Sequence, residues 1–451
     1  MAAAFRPRRA GMAARIVAAC LLVGAVLFLP LALETTQDLW MALAAIYAII
    51  GLSVNLITGH AGQISLGHQA FVGIGAFMAA FIVRTVGGFQ TDPTTGLVIA
   101  PELVPTSDFW IGLLLAGVTG TAMAAFLGLV ALRIRGLYLA LITLSFGLMA
   151  ETTIFNWRAF TGGGAGAAAP RPAAFASNQA YAYVCLAILA VFLFVDWRLV
   201  RSRAGRAMVA SRANERVAAT LGVNVTAYKL LAFASAGFLA GVAGALFGHW
   251  NQAVQALDFD LRTALVWVLM AVVGGLGSRA GIVVGSAFFA VFPLYLSASA
   301  GGATIEIPGL GEVLIQTLSP FLGALLLLLT ITLYPGGIGQ QLLALRRWMA
   351  GGPLVTSRHE ALRLAGLPAL VALAAALLVT EGAIGGRLAV AGVAAVAGGV
   401  LAALLLLEYL RQLDRSRAAN EGGPAHAEDT VTVPDPDGAG RTREHAGRTA
   451  P

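Results

Sequence analysis

The sequence predicts an all-α polytopic membrane protein, and three observations carry that expectation. Of 451 residues, 58% are hydrophobic and 11% charged, with a mean hydropathy of +0.82; soluble domains carry roughly 25% charged residues. Apolar runs close to the length of about 20 residues that spans a bilayer recur along the chain. They fall at 16–33, 39–58, 66–83, 109–132, 136–155, 179–198, 230–249, 261–277, 281–298, 313–334, 363–380 and 388–409. Some of these runs are short or broken by glycine, as helices beside a translocation route are. The expected architecture is about ten core transmembrane helices with broken or short segments, plus an extra C-terminal helical hairpin. Residues 1–350 form the transmembrane domain, with a cytoplasmic loop at 198–229. Residues 351–410 form the hairpin, and 411–451 read as a disordered cytoplasmic tail, being polar, charged and Pro/Gly-bearing.

The first run follows FRPRRAGMAAR and imitates a signal peptide, with Val17-Ala18-Ala19-Cys20 imitating a lipoprotein box. Only four residues separate Arg15 from Cys20, so an uncleaved spanning helix is the better reading. The second and third runs flank GLSVNLITGHAGQISLGHQAFVGIGAFMAA, residues 51–80. Gly59, Gly62 and Gly67 interrupt it, and Asn55, His60, Gln63, Ser65 and His68 place polar groups in it. Broken backbone at membrane depth is tolerated only where protein buries it or where it lines a wet cavity, and polar side chains there mark pathways. The alternative is a short cytoplasmic turn between two ordinary helices. The eighth and ninth runs are short and meet at GGLGSRAG, residues 274–281, a second break in the other half of the chain.

Orientation follows from the arginines. With both termini cytoplasmic, all basic residues except Arg84, Arg158, Arg171, Arg262 and Arg387 fall inside. Loop 84–108 and the Gly/Ala/Pro-rich loop 156–178 then face outwards, and the latter cannot be helical throughout. In the cytoplasmic loop, a helix is expected from about Gly205 to Leu221, with Arg212 and Arg216 four apart on one face, Glu215 near both, and Gly222 as C-cap. Such a helix could lie on lipid or dock on a partner. Gly237, Gly241 and Gly244 space small residues for close helix packing, and His249 reads as interfacial.

Several chemistries are excluded. Cys20 and Cys185 lie in separate apolar runs, and the six histidines lack zinc-ligand spacing. The single lysine, Lys229, has neither the preceding glycines nor the following Ser/Thr of a phosphate-binding P-loop. Basic excess in such a chain reflects cytoplasmic loops rather than nucleic-acid binding.

Three stretches carry a family resemblance. The pattern N-L-x-x-G-x-A-G-Q-x-S-L-G-H-x-A-F-x-G-I-G-A begins at Asn55. R-x-R-G-x-Y-x-A-x-x-T-L at Arg133, Arg135 and Tyr138 is followed by N-W-x-x-x-T-G-G at Asn156. G-R-x-x-x-A-x-R-x-N-E-x-x-A-x-x-x-G runs from Gly205 to Gly222. Together they resemble the LivM-type permeases of branched-chain amino acid ABC importers, over roughly residues 30–345.

That resemblance implies a transport subunit of the bacterial inner membrane, not an enzyme, with no cofactor of its own. ATP would be bound by two cytoplasmic ATPase partners, beside a second, LivH-type permease and an extracytoplasmic solute-binding protein. It implies a pathway at Asn55, Gly62, Gln63, Ser65, Gly67 and His68. An outer solute-facing turn would be formed by Asn156, Trp157, Thr161, Gly162 and Gly163, where a Gly pair could present free amides. ATPase coupling would fall to Arg206, Arg212, Asn214, Glu215, Arg216 and Gly222. Alternatives are a permease for urea or short amides, or a self-sufficient secondary transporter or channel. The latter would want ionisable groups deep in helices, whereas Glu151, Asp196 and Glu408 lie near helix ends.

Overall fold

The computed structural model describes residues 35–86, 105–131, 134, 136–163, 166–300, 304–307 and 311–314. The expectations placed on run 16–33, Cys20, Arg133, Arg135, residues 315–334, the 351–410 hairpin and the tail lie outside the described residues. Eleven helices are described: α1 Thr35–Val54, α2 His68–Val86, α3 Thr106–Ala131, α4 Leu137–Met149, the single turn α5 Arg158–Thr161, α6 Asn178–Arg201, α7 Arg203–Ala213, α8 Glu215–Thr220, α9 Val225–Asn251, α10 Leu261–Gly274 and α11 Arg279–Ala300. Among the described residues, five helical stretches are long and apolar enough to cross a membrane: Gln37–His60, His68–Thr85, Thr106–Val130, Asn178–Arg201 and Val225–Asn251. Tyr138–Ile154 and Arg279–Leu294 are shorter apolar helices.

α9 is the axis of the packing, and its glycines explain why. A Cβ at Gly244 would lie 1.9 Å from the Val72 carbonyl oxygen of α2. One at Gly241 would lie 2.1 Å from the Ala116 carbonyl of α3, and one at Gly237 2.4 Å from the Gly120 carbonyl. Backbones approach this closely only over small residues, so the small-residue row expected from sequence is a packing seam. α10 and α11 meet in the same way, with the Gly281 carbonyl 2.6 Å from a Cβ built at Gly274.

The periphery is apolar and open. Only 22% of the apolar window in α6 and 39% of that in α3 is buried, against 78% in α1 and α2. Trp110, Leu114, Phe126, Leu129, Val191 and Phe194 are exposed on those outer helices, as a lipid-facing surface requires.

Three expectations are corrected. The helix expected in loop 198–229 is not continuous: Asn214 leaves the helical region and caps α8, its side chain accepting from the amides of Arg216 and Val217. Arg212 and Arg216 therefore sit on different helices. His249 is fully buried rather than interfacial, because Phe109 covers its ring at 5.0 Å. Residues 313–314, expected to begin a helix, belong to an antiparallel hairpin of β3 Thr304–Ile307 and β4 Gly311–Leu314; the alternating T-I-E-I run favours strand. The other pair, β1 Ala167–Ala168 and β2 Ala253–Val254, ties the 156–178 loop to the end of α9.

Candidate functional site

The break between α1 and α2 begins as a widened turn. Residues Asn55–His60 are π-helical, a form common at functional sites. The Ala61 amide reaches back to the Leu56 carbonyl at 3.2 Å and the Gln63 amide to Ile57 at 3.0 Å. Gly62 then takes a left-handed φ of 70° and the helix ends. Residues 62–67 run as non-helical chain whose side chains alternate in exposure: 62 and 64 are open, while 63, 65 and 67 are buried.

Contacts along α9 fix the depth of this chain. The Ser53 hydroxyl donates to the Ala236 carbonyl at 2.8 Å. Gly244 meets Val72, and Gly248 meets Ala76, so α2 and α9 run in step. The start of α2 at His68, one turn before Val72, is therefore level with about residue 240, the middle of the 27-residue α9. A turn lying wholly outside the bundle would not climb so far along a spanning helix.

The two breaks expected from sequence touch. Asn55 Oδ1 accepts from the Gly277 amide at 2.7 Å. Only glycine fits at 59, since a Cβ there would lie 2.0 Å from that same Oδ1. Loop 198–229 joins them: Arg212 Nη1 donates to the Gly59 carbonyl, and its stem lies against Gly62. Beside this contact, Arg279 at the start of α11 pairs with buried Asp196 of α6. Lys229 of α9, itself buried, pairs with Glu215 at 2.5 Å. Glu215 thus faces α9 as well as lying beside Arg216 in sequence. These two ion pairs were not anticipated; the only lysine in the chain, and an arginine inside the second break, were the available signals.

The remaining residues expected to line a pathway are packed in this conformation. Gln63 folds back, its Nε2 donating to the Ala61 carbonyl at 3.4 Å. Gly67 presses on α4, where a Cβ would lie 2.0 Å from the Thr143 carbonyl oxygen. Ser65 and His68 are fully buried, and neither the serine hydroxyl nor either imidazole nitrogen has a partner.

In loop 198–229, Arg206 donates to the Arg201 carbonyl at 2.8 Å and, like Arg216, is exposed. Gly222 has φ 81° and completes a Schellman cap: its amide reaches Ala219 and that of Val223 reaches Ala218. Val217 and Leu221 are exposed, Leu221 by 78%.

The outer turn differs from expectation in one respect. The Gly162 amide donates to the Arg158 carbonyl at 3.1 Å and the Gly163 amide to Thr161 Oγ1 at 3.2 Å, so neither is free. Asn156 donates to the Glu151 carbonyl at 2.9 Å, and Trp157 is exposed by 64%. Both glycines have positive φ, 84° and 77°, so the pair closes α5 rather than presenting an anion seat.

Residues 38–331 match the family described as branched-chain amino acid transport system / permease component. The chain belongs to this permease family. It is 29% identical over 274 residues to the high-affinity branched-chain amino acid transport system permease protein LivM of Salmonella typhimurium, covering 54% of this chain and 60% of that protein. It is 28% identical over 277 residues to the LivM protein of Escherichia coli, covering 55% and 61%. The match thus spans about three-fifths of the length of these relatives. No solved structure matches. The matched region holds every described helix except the first three residues of α1, and its membrane-spanning, transport character follows from the family and the apolar helices together.

Proposed function

We propose that this permease is the LivM-type membrane subunit of an ATP-driven importer for branched-chain amino acids. It works with a LivH-type permease, two cytoplasmic ATPases and an extracytoplasmic solute-binding protein. The likeness to the two LivM proteins supports the substrate. The observation that carries the mechanism is the hydrogen bond from Arg212 to Gly59. It joins the loop that would meet the ATPases to the broken segment that would line the path.

In this reading Arg206, Arg216 and the exposed apolar residues Val217 and Leu221 offer the ATPases a docking surface. Asn214, Glu215 and Gly222 shape that surface through a cap, an ion pair and a turn. Arg212 is the inward end of the lever. Asn55, Gly62, Gln63, Ser65, Gly67 and His68 border the path, and the turn at Asn156, Trp157, Thr161, Gly162 and Gly163 is its outer mouth. The subunit hydrolyses no ATP itself, and both termini lie on the cytoplasmic side of the inner membrane. Residues 1–350 make the permease body, and 351–410 add a peripheral hairpin before the cytoplasmic tail.

Reconstitution tests this. With its partners in liposomes, the complex accumulates leucine when ATP and the binding protein are supplied. The chain alone does neither uptake nor hydrolysis. Gradient-driven uptake by the chain alone would overturn the importer reading, and preference for urea over leucine would move the substrate to the short amides.

A further inference from the structure

The start of α2 is a helix terminus buried without a cap. Among the described residues, the N–H groups of Gly67, His68 and Gln69 have no acceptor. Helix ends leave such donors, and water, a cap or a ligand normally takes them; a buried end with none of these needs an explanation. The side chains around it are equally unserved. Ser65, His68 and Gln69 are fully buried, and Ser65 Oγ, both His68 nitrogens and both polar atoms of Gln69 lack partners. The Ser53 and Ser65 carbonyls face the His68 ring without reaching hydrogen-bonding geometry. Cα–Cβ bonds of a helix tilt towards its N-terminus, so His68 and Gln69 lean over the unpaired amides.

This excess is mainly one of donors: three amides, a hydroxyl, a carboxamide N–H₂ and an imidazole N–H. The macrodipole of α2, 19 residues long, adds partial positive charge at the same place. No acidic side chain is among the residues named here. The site lies level with the middle of α9, where such groups are costly unless used.

We infer that the start of α2, with Ser65, His68 and Gln69, binds the carboxylate of the transported solute. The inference rests on the permease reading and assigns that path a specific anion subsite. The carboxylate accepts from the α2 amides and from Ser65, while Gln69 and His68 complete its hydrogen bonds. α4 closes the subsite in this conformation. The Leu66 amide donates to Thr143 Oγ1 at 2.9 Å, and Gln69 lies against Gly147, where a Cβ would come within 2.2 Å of its Nε2. The subsite therefore fills only when α4 separates from the start of α2.

The test is equilibrium binding of radiolabelled L-leucine to the full-length chain in nanodiscs, isolated with the partners it retains. Competitors are 4-methylpentanoate, which keeps the carboxylate, leucinol, which replaces it with an alcohol, and urea. The methylpentanoate competes, and leucinol and urea do not. Ser65→Ala and His68→Phe each weaken leucine binding about tenfold or more, remove the preference over leucinol, and leave the melting temperature unchanged. Leucine binding with affinity and selectivity unchanged in both variants would overturn the subsite while leaving the substrate reading intact; the polar atoms would then serve buried water only. Binding of other carboxylates but not leucine, still dependent on Ser65 and His68, would keep the subsite and overturn the substrate. Binding of urea alone, or of no carboxylate, overturns the subsite.

Discussion

Two buried histidines, His68 at the start of α2 and His249 at the end of α9, differ in how far their polar surroundings are matched. Around His249 most polar groups are matched, and only its Nε2 is without a partner. Arg171 donates through Nε to the His249 carbonyl, through Nη1 to Asn178 Oδ1 and through Nη2 to the Trp250 carbonyl, each at 2.9 Å. Its guanidinium also lies 4.3 Å from the centre of the Tyr181 ring. His249 Nδ1 faces the Ala169 and Pro170 carbonyls at 3.1 and 3.0 Å, so that nitrogen carries the proton. Burial pulls the Arg171 pKa below its usual value, yet a guanidinium keeps its charge. Around His68 neither nitrogen is matched. The difference teaches that polarity in a membrane helix does not identify a pathway. What separates a structural knot from a working site is how far the protein already satisfies the groups it buries.

The largest expected effect is at the matched end. Arg171→Leu strands two backbone carbonyls and removes the bond to Asn178, and should cost about 3 kcal/mol or more of stability. His68→Phe, with no bond to lose, should leave the melting temperature in nanodiscs nearly unchanged. Equal destabilisation by the two would break the comparison. Arg171→Lys should not rescue, because one ammonium cannot reproduce the three-way fork.

Next comes the junction of the two breaks. Asn55→Ala removes the acceptor of the Gly277 amide and should cost about 1–2 kcal/mol. ATP-driven uptake by the assembled transporter should fall at least tenfold, because the two broken segments lose their tie. Gly62→Leu should act similarly, since a Cβ there already comes within 2.6 Å of Arg212 Cγ. Full uptake in both variants would reduce the junction to packing.

These features were unequally readable from sequence. Helix positions were clear because apolar length alone sets them: run 179–198 became Asn178–Arg201, and run 109–132 became Thr106–Ala131. The breaks were visible as glycines among polar residues. That they touch was not, since Asn55 and Gly277 are 222 residues apart and no local pattern links them. The split of the cytoplasmic helix was readable in retrospect, because Asn214 followed by Glu215 is a helix-start signal. His249 was misplaced because position along a helix does not reveal what covers it; Phe109 comes from a different helix.

A smaller effect is expected for the pair joining the cytoplasmic loop to α9. The Lys229 side chain is 5% exposed and that of Glu215 23%. Lys229→Met alone leaves a partly buried carboxylate and should destabilise more than Lys229→Met with Glu215→Gln. A double-mutant cycle should give a coupling of about 1–2 kcal/mol. Zero coupling would show that α8 is not held against α9 by charge, leaving Arg212 and the packing of Met208 against Ala61 and Ala232 to hold the loop.

The smallest effect tests the comparison most directly, because it perturbs no contact. Ile64 and Ser65 are neighbours on the non-helical chain and differ in exposure: Ile64 is 48% exposed and Ser65 is fully buried. Single cysteines at each, in a background lacking Cys20 and Cys185, should differ in reactivity although they share backbone and depth. In inside-out vesicles a polar thiol reagent should modify Ile64→Cys in every state, as a residue bordering an aqueous cavity. Ser65→Cys, nearly isosteric with the native residue, should resist the reagent at rest, because a thiol buried without access is inert. Once ATP is trapped on the partners and α4 separates from the start of α2, Ser65→Cys should begin to react, and a saturating carboxylate solute should protect it. Protection by leucine but not leucinol would place the solute's anion beside Ser65. Resistance of Ser65→Cys in every state, with Ile64→Cys unreactive too, would mean that residues 62–67 are ordinary buried packing, and that the unmatched groups at the start of α2 have no solute to serve.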